Sequence, residues 1–250
     1  MKEVIICLPA YNEAGNLPPL FERFEKVFVQ LGVSHRYVIC NDGSRDGTAE
    51  VLSNWQTRVS MEVLTHTVNQ GLGPTLRYAL RRGTETASLE SVILTMDADN
   101  THPPEILGGM LEGIKAGHNL MIASRYRVGA SVEGLSWTRE MLSLGARLLF
   151  QCSFPIRGVR DYTCGYRLYT SDLLKRAWER YGDALVSEKG FACMADLLLK
   201  ISTLGLNCGE VPLLLQYGAK QGASKMRVGR TIMTTLKLML LRRFGVGMVR

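Results

Sequence analysis

The feature that most constrains the fold is an alternation of short apolar runs with longer amphipathic segments, from the N-terminus to Tyr126. Short β-branched runs are typical of strands buried on both faces of a parallel sheet, and the segments between them predict crossover helices. Right-handed crossovers of this kind build a doubly wound α/β sheet. The expected strands are 4–8, 36–40, 60–65, 91–96 and 120–123, and the expected helices are 16–31, 48–55, 72–83 and 104–115.

The pattern changes after Tyr126. Residues 127–136 are rich in Gly and Ser and predict a mobile loop, and residues 218–225 predict a second flexible loop with a basic end. At 250 residues, the chain has room for one large α/β domain or for one domain and a half. The remaining expected elements are helices at 137–154, 171–181, 191–204 and 228–241 and strands at 164–169 and 207–215.

Acidic residues follow two of the predicted strands: Asp42 follows 36–40, and Asp97 and Asp99 follow 91–96. Open α/β sheets bind ligands at the carboxyl ends of their strands. Strand alternation would place Asp97 and Asp99 on one side of the chain, where two like charges are costly unless a cation lies beside them. Carboxylate oxygens suit Mg²⁺ or Mn²⁺, which typically bridge a protein carboxylate and a diphosphate. A capped helix start at Asn100 or Thr101 is the alternative, but it leaves both aspartates unexplained.

Other polar residues near this edge have two interpretations each. Asp42 can accept a hydrogen bond from the N–H edge of uracil or guanine, but an ordinary Asp-Gly turn explains it equally well. Tyr11 and Glu13 follow the first strand and can reach a base or a ribose, whereas a helix N-terminus also favours an acidic residue there. Arg125, at the end of the fifth strand, can contact a diphosphate or can be an ordinary surface charge. The same holds for Arg139 and Lys225, next to the two predicted loops.

Composition and missing motifs limit the class of partner. The net charge of +7 favours an anionic partner such as a nucleotide, a lipid phosphate or a membrane surface, unless the surface is basic without function. Nucleic acid is not expected, because neither a basic run nor an aromatic stacking motif stands out. A phosphate-binding Gly-Lys-Ser/Thr loop and the third glycine of a dinucleotide fingerprint are missing.

The cysteines and the N-terminal residues indicate in which cell compartment the protein is expected. The six cysteines have no C-x-x-C spacing and are expected to be buried and reduced, without disulfides or zinc. Because the first apolar run begins at Val4, we expect no signal peptide, and no run of 18 apolar residues predicts a membrane span. We therefore expect a cytoplasmic protein, peripheral at the cytoplasmic face of a membrane.

The motifs taken together resemble family two glycosyltransferases, over nearly the whole chain up to Lys225. Later motifs narrow the resemblance to the branch that is similar to dolichol-phosphate mannosyltransferases. The motifs of the family are Pro9-Ala10-Tyr11-Asn12-Glu13, Asn41-Asp42-Gly43-Ser44-Arg45-Asp46-Gly47-Thr48, Asp97-Ala98-Asp99, His102-Pro103-Pro104-Glu105 and Ser124-Arg125-Tyr126. Those of the branch are Asp161-Tyr162-Thr163-Cys164-Gly165-Tyr166-Arg167, Glu210-Val211-Pro212 and Gly222-Ala223-Ser224-Lys225.

The resemblance implies a glycosyltransferase-A fold, which is Rossmann-like and mostly parallel, with a C-terminal extension on the acceptor side. It implies a nucleotide-sugar donor, Mg²⁺ or Mn²⁺, and inversion at the anomeric carbon. Residues 1–225 would be the catalytic domain, with 1–126 binding the donor, 127–225 binding the acceptor, and 226–250 forming a C-terminal helix. The nucleotide sugar would contact Pro9, Tyr11, Glu13, Cys40, Asp42, Asp97, Ala98, Arg125 and Lys225. The metal ligands would be Asp97 and Asp99, and the catalytic residues Asp99, Arg125 and Lys225.

Two departures from this branch concern metal and donor binding. Thr101 stands where the branch often has a glutamine that acts as an extra metal ligand. An arginine common before the Gly-x-Ser-Lys loop has no clear equivalent, since Gln216, Ala219 and Lys220 occupy that region.

The acceptor is inferred from a motif that is missing. A hydroxyl acceptor requires a general base, which many relatives supply from an acidic motif before Arg-x-x-Arg-Trp, and this chain has no such motif. A phosphate monoester, with a second pKa of about 6, is already largely ionised and needs only cations to hold it. We therefore expect a polyprenyl phosphate acceptor, held by Arg139, Arg160 or Arg167.

With this acceptor, the resemblance implies transfer of mannose from GDP-mannose to polyprenyl or dolichyl phosphate. A transferase for a UDP-sugar such as glucose, and an inactive nucleotide-sugar-binding protein, are the alternatives. The apolar and basic segment 228–244 would lie on a membrane, dock on a membrane partner subunit, or pack on the core.

Overall fold

The computed structural model describes residues 2–133, 137–216 and 228–248. The strands are β1 Val4–Ala10, β2 His35–Asn41, β3 Met61–Thr65, β4 Val92–Thr95, β5 Leu120–Ser124, β6 Ser131–Glu133, β7 Arg167–Thr170, β8 Cys208–Pro212 and β9 Leu214–Gln216. The helices are α1 Leu17–Leu31, α2 Thr48–Gln56, α3 Leu72–Glu85, α4 Leu107–Lys115, α5 Trp137–Ser153, α6 Ser171–Tyr181, α7 Ala192–Ile201 and α8 Val228–Arg243.

The described strands form a seven-stranded sheet in the order β3-β2-β1-β4-β7-β5-β8 and a separate pair, β6 and β9. Neighbours in the main sheet are parallel except for β7, which runs antiparallel to both β4 and β5. The central strands are buried on both faces, which explains why their sequences are continuous apolar runs. The expected mostly parallel sheet flanked by helices is confirmed.

Helix α1 shows how the crossover helices form from the sequence. Its apolar residues recur at helical spacing, and this stripe is buried against the sheet. Prolines occupy the first helical positions, where their missing N–H groups cost nothing. Gly32 ends the helix in a left-handed conformation, with φ of 60°, and donates its N–H to the carbonyl of Phe28. The buried stripe consists of Leu17, Leu20, Phe21, Phe24, Val27 and Phe28.

The second half of the chain departs from expectation in three places, the first being β7, which begins at Arg167 rather than at Cys164. The predicted strand 207–215 is interrupted at Leu213, whose N–H donates to the carbonyl of Ser124 at 3.0 Å. β8 therefore ends in the main sheet, and β9 pairs with β6. Because β6 lies within 127–136, the prediction of a mobile loop throughout that segment is wrong. The predicted loop 218–225 lies outside the described residues.

The C-terminal helix α8 packs partly on the core. Leu238 and Met239 are buried, and Arg242 reaches a buried carboxylate of α7, with 2.7 Å from its Nε to Oδ1 of Asp196. Asp196 also accepts a hydrogen bond from Lys200 Nζ at 2.6 Å. Within the described ranges, no helix has the length and apolar character that crossing a bilayer requires.

All six cysteines carry free thiols. Five of them are buried, as expected for small apolar side chains, and Cys152 on α5 is exposed.

Candidate active site

The site lies where adjacent parallel strands end. Ala10 at the end of β1 pairs with Asn41 at the end of β2, and Cys7 of β1 pairs with Thr95 at the end of β4. Because these strands are neighbours and parallel, the segments that follow them meet at one edge of the sheet. The structure therefore brings the segments of Tyr11, Asp42 and Asp97 to the same edge.

The loops that follow β1 and β2 are hydrogen-bonded to each other. The N–H of Asn12 donates to Ser44 Oγ at 2.9 Å, and Asn12 Oδ1 accepts from the N–H of Arg45 at 2.8 Å. The N–H of Glu13 donates to Thr48 Oγ1 at 2.8 Å. Asn12 has φ of 53°, a left-handed conformation that asparagine tolerates better than most residues. The two loops thus form one hydrogen-bonded unit at this edge of the sheet.

Glu13 and Asp46 serve local structure. Glu13 is buried and accepts a hydrogen bond from Asn16 Nδ2 at 2.6 Å at the start of α1. Asp46 accepts from the N–H of Thr48, the first residue of α2, at 3.0 Å and from the N–H of Ala14 at 3.2 Å. The helix-start interpretation of Glu13 therefore has direct structural support. A contact between Glu13 and the ligand stays a prediction.

The structure corrects the expectation for Cys40. Pro9 and Cys40 are paired across β1 and β2, and Pro9 is half-buried. Cys40 is completely buried inside the sheet, and this burial, with Asp42 nearby, raises the pKa of its thiol to about 12. Its side chain is therefore not available to a ligand at the surface of the sheet edge.

Asp42 is buried and holds the loop before α3. Its Oδ1 lies 2.7 Å from His66 Nδ1 and accepts from the N–H of Gln70 at 2.9 Å, while Oδ2 accepts from the N–H of Gly71 at 2.9 Å. His66 in turn stacks on Tyr78, with ring centroids 5.6 Å apart. A carboxylate has about four acceptor positions, so these three partners leave about one for the N–H of a base. The nucleobase contact stays a prediction, and sequence reasoning missed the role of His66.

The glycines at the start of α3 allow a close approach of protein backbone. The N–H of Gly73 donates to the carbonyl of Lys189 at 3.0 Å. A Cβ on Gly73 would lie 1.7 Å from the carbonyl oxygen of Glu188. Gly71 has φ of 95°, which other residues rarely adopt. The backbone of residues 188–189 therefore makes the close approach that these glycines allow.

Asp97 and Asp99 are the candidate metal ligands. β4 ends at Thr95, so both aspartates lie in the loop beyond it rather than on a strand, and the strand-alternation argument does not apply. Ala98 is buried while the two aspartates are half-buried, so their carboxylates are the more accessible groups of this segment, and their shared binding of a cation stays a prediction.

Thr101 fixes the orientation of one of these carboxylates. Asp99 Oδ1 accepts hydrogen bonds from the Thr101 hydroxyl at 2.7 Å and from the Thr101 N–H at 3.2 Å. Thr101 stands where the branch often has a metal-binding glutamine, and in this chain it orients the carboxylate of Asp99.

The donor set fits Mg²⁺ or Mn²⁺, which prefer oxygen ligands. Among the described residues, no group of three or more His, Cys, Asp or Glu side chains could enclose a metal ion. Asp97 and Asp99 would therefore hold a cation together with oxygens from another source, and a substrate diphosphate supplies such oxygens.

Arg125 forms a buried ion pair with Asp161. Asp161 accepts from the backbone N–H of Arg125 at 3.1 Å, from its Nε at 2.8 Å and from its Nη2 at 2.7 Å. Burial works to raise the pKa of Asp161, but the charge and hydrogen bonds of Arg125 outweigh it, and the pKa is lowered. For Arg125, burial works to lower the pKa, yet Asp161 holds it above its usual range. Since Asp161 balances the charge of Arg125, the predicted contact of Arg125 with a phosphate stays a prediction. Sequence reasoning gave Asp161 no role.

Of the residues expected to bind the acceptor phosphate, Arg167 is not accessible to a ligand. It is completely buried in β7, and its Nη1 and Nη2 donate to the carbonyls of Met194 at 2.7 Å and Tyr162 at 2.8 Å. Arg160 is exposed, and its Nη1 lies 3.5 Å from the carbonyl of Tyr126, beside Arg125. Arg139 lies in α5, but its side chain is outside the described part of the chain, as is all of Lys225.

A mostly parallel sheet with two carboxylates at its carboxyl edge places the protein in the class of α/β proteins whose ligand site lies where the strands end. Within this class, residues 5–178 match the family described as Glycosyl transferase family 2. The chain belongs to that family, as its motifs predict.

Relatives of known name support this membership. The chain is 31% identical to a polyprenol monophosphomannose synthase of Mycolicibacterium smegmatis, over 90% of this chain and 81% of that protein. It is 32% identical to an undecaprenyl-phosphate mannosyltransferase of Micrococcus luteus, over 90% of this chain and 88% of the relative.

A solved structure supports the fold. Glucosyl-3-phosphoglycerate synthase of Mycobacterium tuberculosis, in complex with Mn²⁺, UDP-glucose and phosphoglyceric acid, matches with a TM-score of 0.68 at 18% identity, over 100% of this chain and 81% of that one. The expected glycosyltransferase-A fold is confirmed.

Proposed function

We propose that this protein transfers mannose from GDP-mannose to a polyprenyl or dolichyl phosphate, with inversion and with Mg²⁺ or Mn²⁺. The observation that carries the proposal is the half-buried pair Asp97 and Asp99 at the carboxyl edge of the sheet, in a chain aligned over most of its length with mannosyltransferases that act on lipid phosphates. Residues 1–225 are proposed as the catalytic domain, with the donor bound by 1–126 and the acceptor by 127–225.

The donor would bind along the edge from β2 to β4. The unit formed by the loops after β1 and β2 would hold the nucleoside, with the remaining acceptor position of Asp42 facing the base. Asp97 and Asp99 would bind the cation, which offsets the negative charge that collects on the leaving diphosphate. Thr101 keeps Asp99 oriented through its hydroxyl hydrogen bond. This pre-set orientation avoids reorganisation while the glycosidic bond breaks through an oxocarbenium-like state.

The acceptor is proposed to be an anion that needs no general base. A lipid phosphate is largely ionised near neutral pH, so its oxygen can attack the anomeric carbon without first losing a proton. Arg160 is exposed beside the segment of Arg125 and can offer positive charge there. Arg139 and Lys225 stay predicted contacts of the acceptor phosphate and the donor phosphate.

Helices α5 and α8 are proposed to contact the membrane that holds the acceptor. Both carry exposed apolar residues at helical spacing, and the opposite side of α8 is fixed to the core by Leu238 and Arg242. An exposed apolar face on a basic protein suits a bilayer surface that contains anionic lipid. The exposed apolar residues include Met141, Leu144, Leu148 and Leu149 on α5 and Met233, Leu236 and Leu240 on α8.

Sedimentation with vesicles tests this contact. The full-length chain is expected to sediment with anionic vesicles, and the double variant Leu236→Glu/Leu240→Glu is expected to stay in the supernatant. Val29→Glu is the matched control, because Val29 is 82% exposed on α1. Equal sedimentation of the double variant and the wild type would contradict the membrane contact.

A thermal-shift screen with Mn²⁺ tests the donor. GDP-mannose at 100 times its dissociation constant should stabilise the fold by about 2.7 kcal/mol. UDP-glucose is the comparison ligand, and its selective binding would favour the alternative of a UDP-sugar transferase. Asp99→Asn should lose the Mn²⁺-dependent part of the shift, whereas Asp172→Asn, an exposed aspartate paired with Arg176 on α6, should keep it.

Single-turnover transfer to polyprenyl phosphate tests the reaction itself. Product should form with the lipid phosphate and not with soluble sugar hydroxyls. Donor binding without any turnover would favour an inactive binding protein. Transfer to hydroxyls alone would refute the proposed acceptor.

A further inference from the structure

Arg23 on α1 links that helix to the loop that carries the two aspartates. Its Nη1 donates to Asn100 Oδ1 at 2.9 Å. Its Nε and Nη2 donate to the two carboxylate oxygens of Glu105 at 3.0 Å and 2.7 Å. One guanidinium therefore holds both ends of the turn that follows Asp99. A lysine could not replace it, because the ammonium group lacks the planar set of donors that contacts both residues.

Asn100 needs this support because of its backbone. It is buried, directly follows Asp99, and has φ of 60°, a left-handed conformation. Asparagine tolerates this conformation better than most residues, and hydrogen bonds to its side chain help to hold it. Asn100 is held on one side by Arg23, and the next residue, Thr101, is bonded to Asp99.

Arg23 also stabilises the charged form of Glu105, at the far end of the turn. Burial works to raise the pKa of Glu105, but the hydrogen bonds from Arg23 outweigh it, and the pKa is lowered. The turn is supported from below as well, since the hydroxyl of Tyr166 donates to the carbonyl of Pro103 at 3.2 Å. The loop after β4 is thus fixed to α1 through Arg23 and to the segment just before β7 through Tyr166, and Asp97 and Asp99 lie near its start.

We propose that Arg23 is a positioning residue for the cation site: through Asn100 it fixes the backbone on which Asp97 and Asp99 are mounted. The inference rests on the proposed function, because it takes these aspartates to be the cation ligands. Arg23 itself contacts neither the cation nor the substrate. Losing groups that orient metal ligands typically weakens metal binding by about 10- to 100-fold, and the lower end applies here because Arg23 acts through the backbone.

Titration of Mn²⁺ at a fixed concentration of GDP, which supplies the diphosphate oxygens, tests the proposal when the binding is followed by the thermal shift of the protein. Arg23→Met is expected to weaken Mn²⁺ binding by about ten-fold. Asn100→Gly should do the same, because glycine adopts the left-handed conformation freely but cannot accept the bond from Arg23. This second variant leaves α1 intact, so it tests the proposal even where Arg23→Met folds poorly.

The double variant and a matched control separate positioning from general damage. Arg23→Met/Asn100→Gly should bind Mn²⁺ no more weakly than either single variant, since both remove the same link. Arg36→Met should bind Mn²⁺ like the wild type. Arg36 resembles Arg23 in exposure, at 17% against 23%, and pairs with Glu3 at the opposite end of the sheet. Raised Mn²⁺ should also restore activity to Arg23→Met.

The outcomes distinguish this inference from the proposed function. Unchanged Mn²⁺ binding in Arg23→Met, or additive losses in the double variant, would overturn the positioning role alone. Wild-type protein that binds no more Mn²⁺ than Asp99→Asn would overturn both the positioning role and the proposed cation site.

Discussion

The substitution Asp161→Asn should strongly destabilise the fold, because it breaks the buried ion pair with Arg125. Asp161 is completely buried, and the side chain of Arg125 is 20% exposed. Besides its three bonds from Arg125, the carboxylate accepts from the N–H groups of Thr163 at 3.2 Å and Cys164 at 3.0 Å. Removing one partner of such a pair costs about 3–5 kcal/mol, since the other charge stays buried without compensation. That is a large share of the total stability of a domain, about 5–15 kcal/mol.

Urea unfolding, followed by tryptophan fluorescence and far-UV circular dichroism, measures this loss. The unfolding midpoint should fall while the slope stays constant, because asparagine has nearly the same shape as aspartate. Arg125→Met should be similarly costly, as it leaves the carboxylate unpaired. The double variant Asp161→Asn/Arg125→Met should lose less than the sum of the two single variants, with a coupling of up to about 3 kcal/mol.

The pH dependence gives a second test of the same pair. The pKa of Asp161 is lowered in the folded state from its ordinary value near 3.8, so its stabilisation is fully present above that value. It is lost as the pH falls through the folded-state pKa. The difference in unfolding free energy between wild type and Asp161→Asn should therefore be constant near neutral pH and should narrow below about pH 4. A difference under about 1 kcal/mol at neutral pH, or one that widens on acidification, would refute the reasoning.

Two further predictions concern packing and thiol reactivity. Gly73→Ala should destabilise the fold by about 1–3 kcal/mol or more in urea unfolding, because its Cβ would meet the Glu188 carbonyl, whereas Gly145→Ala on α5, with nothing within 4 Å, should be neutral or stabilising. Similar effects of the two substitutions would contradict the assigned contact. Labelling the folded protein with a thiol reagent near pH 8 should modify Cys152 first, because the other five thiols are buried and the pKa of each is raised to about 12. Cys152→Ser should then abolish the fast phase.

Much of the donor half of the fold could be predicted from local patterns. The bounds of β2 and of α2 each agree with the expected segments to within a residue at either end. The reason is that the spacing of apolar residues within such short segments predicts which face of the element is buried. The second half was harder to predict. β7 is only four residues long and lies between β4 and β5, and its position depends on pairing with strands distant in sequence.

The candidate site was likewise only partly predictable from the sequence. The placement of Asp42 and Asp97 at one edge followed from the rule that parallel strands end together. The partners of these residues did not follow from it. Asp42 is held by His66, and the loop of Asp99 by Arg23, through bonds between residues 24 and 77 positions apart.

The sequence by itself therefore determined the fold class, the family and the acidic edge, because periodicity and motif chemistry are local properties of the chain. Only the tertiary structure decided which charges face the site. It buried Arg167, balanced Arg125 with Asp161 and connected Arg23 to the cation loop. The physical reason is that the burial of a charged side chain depends on residues far along the chain, which come together only when the sheet and helices pack.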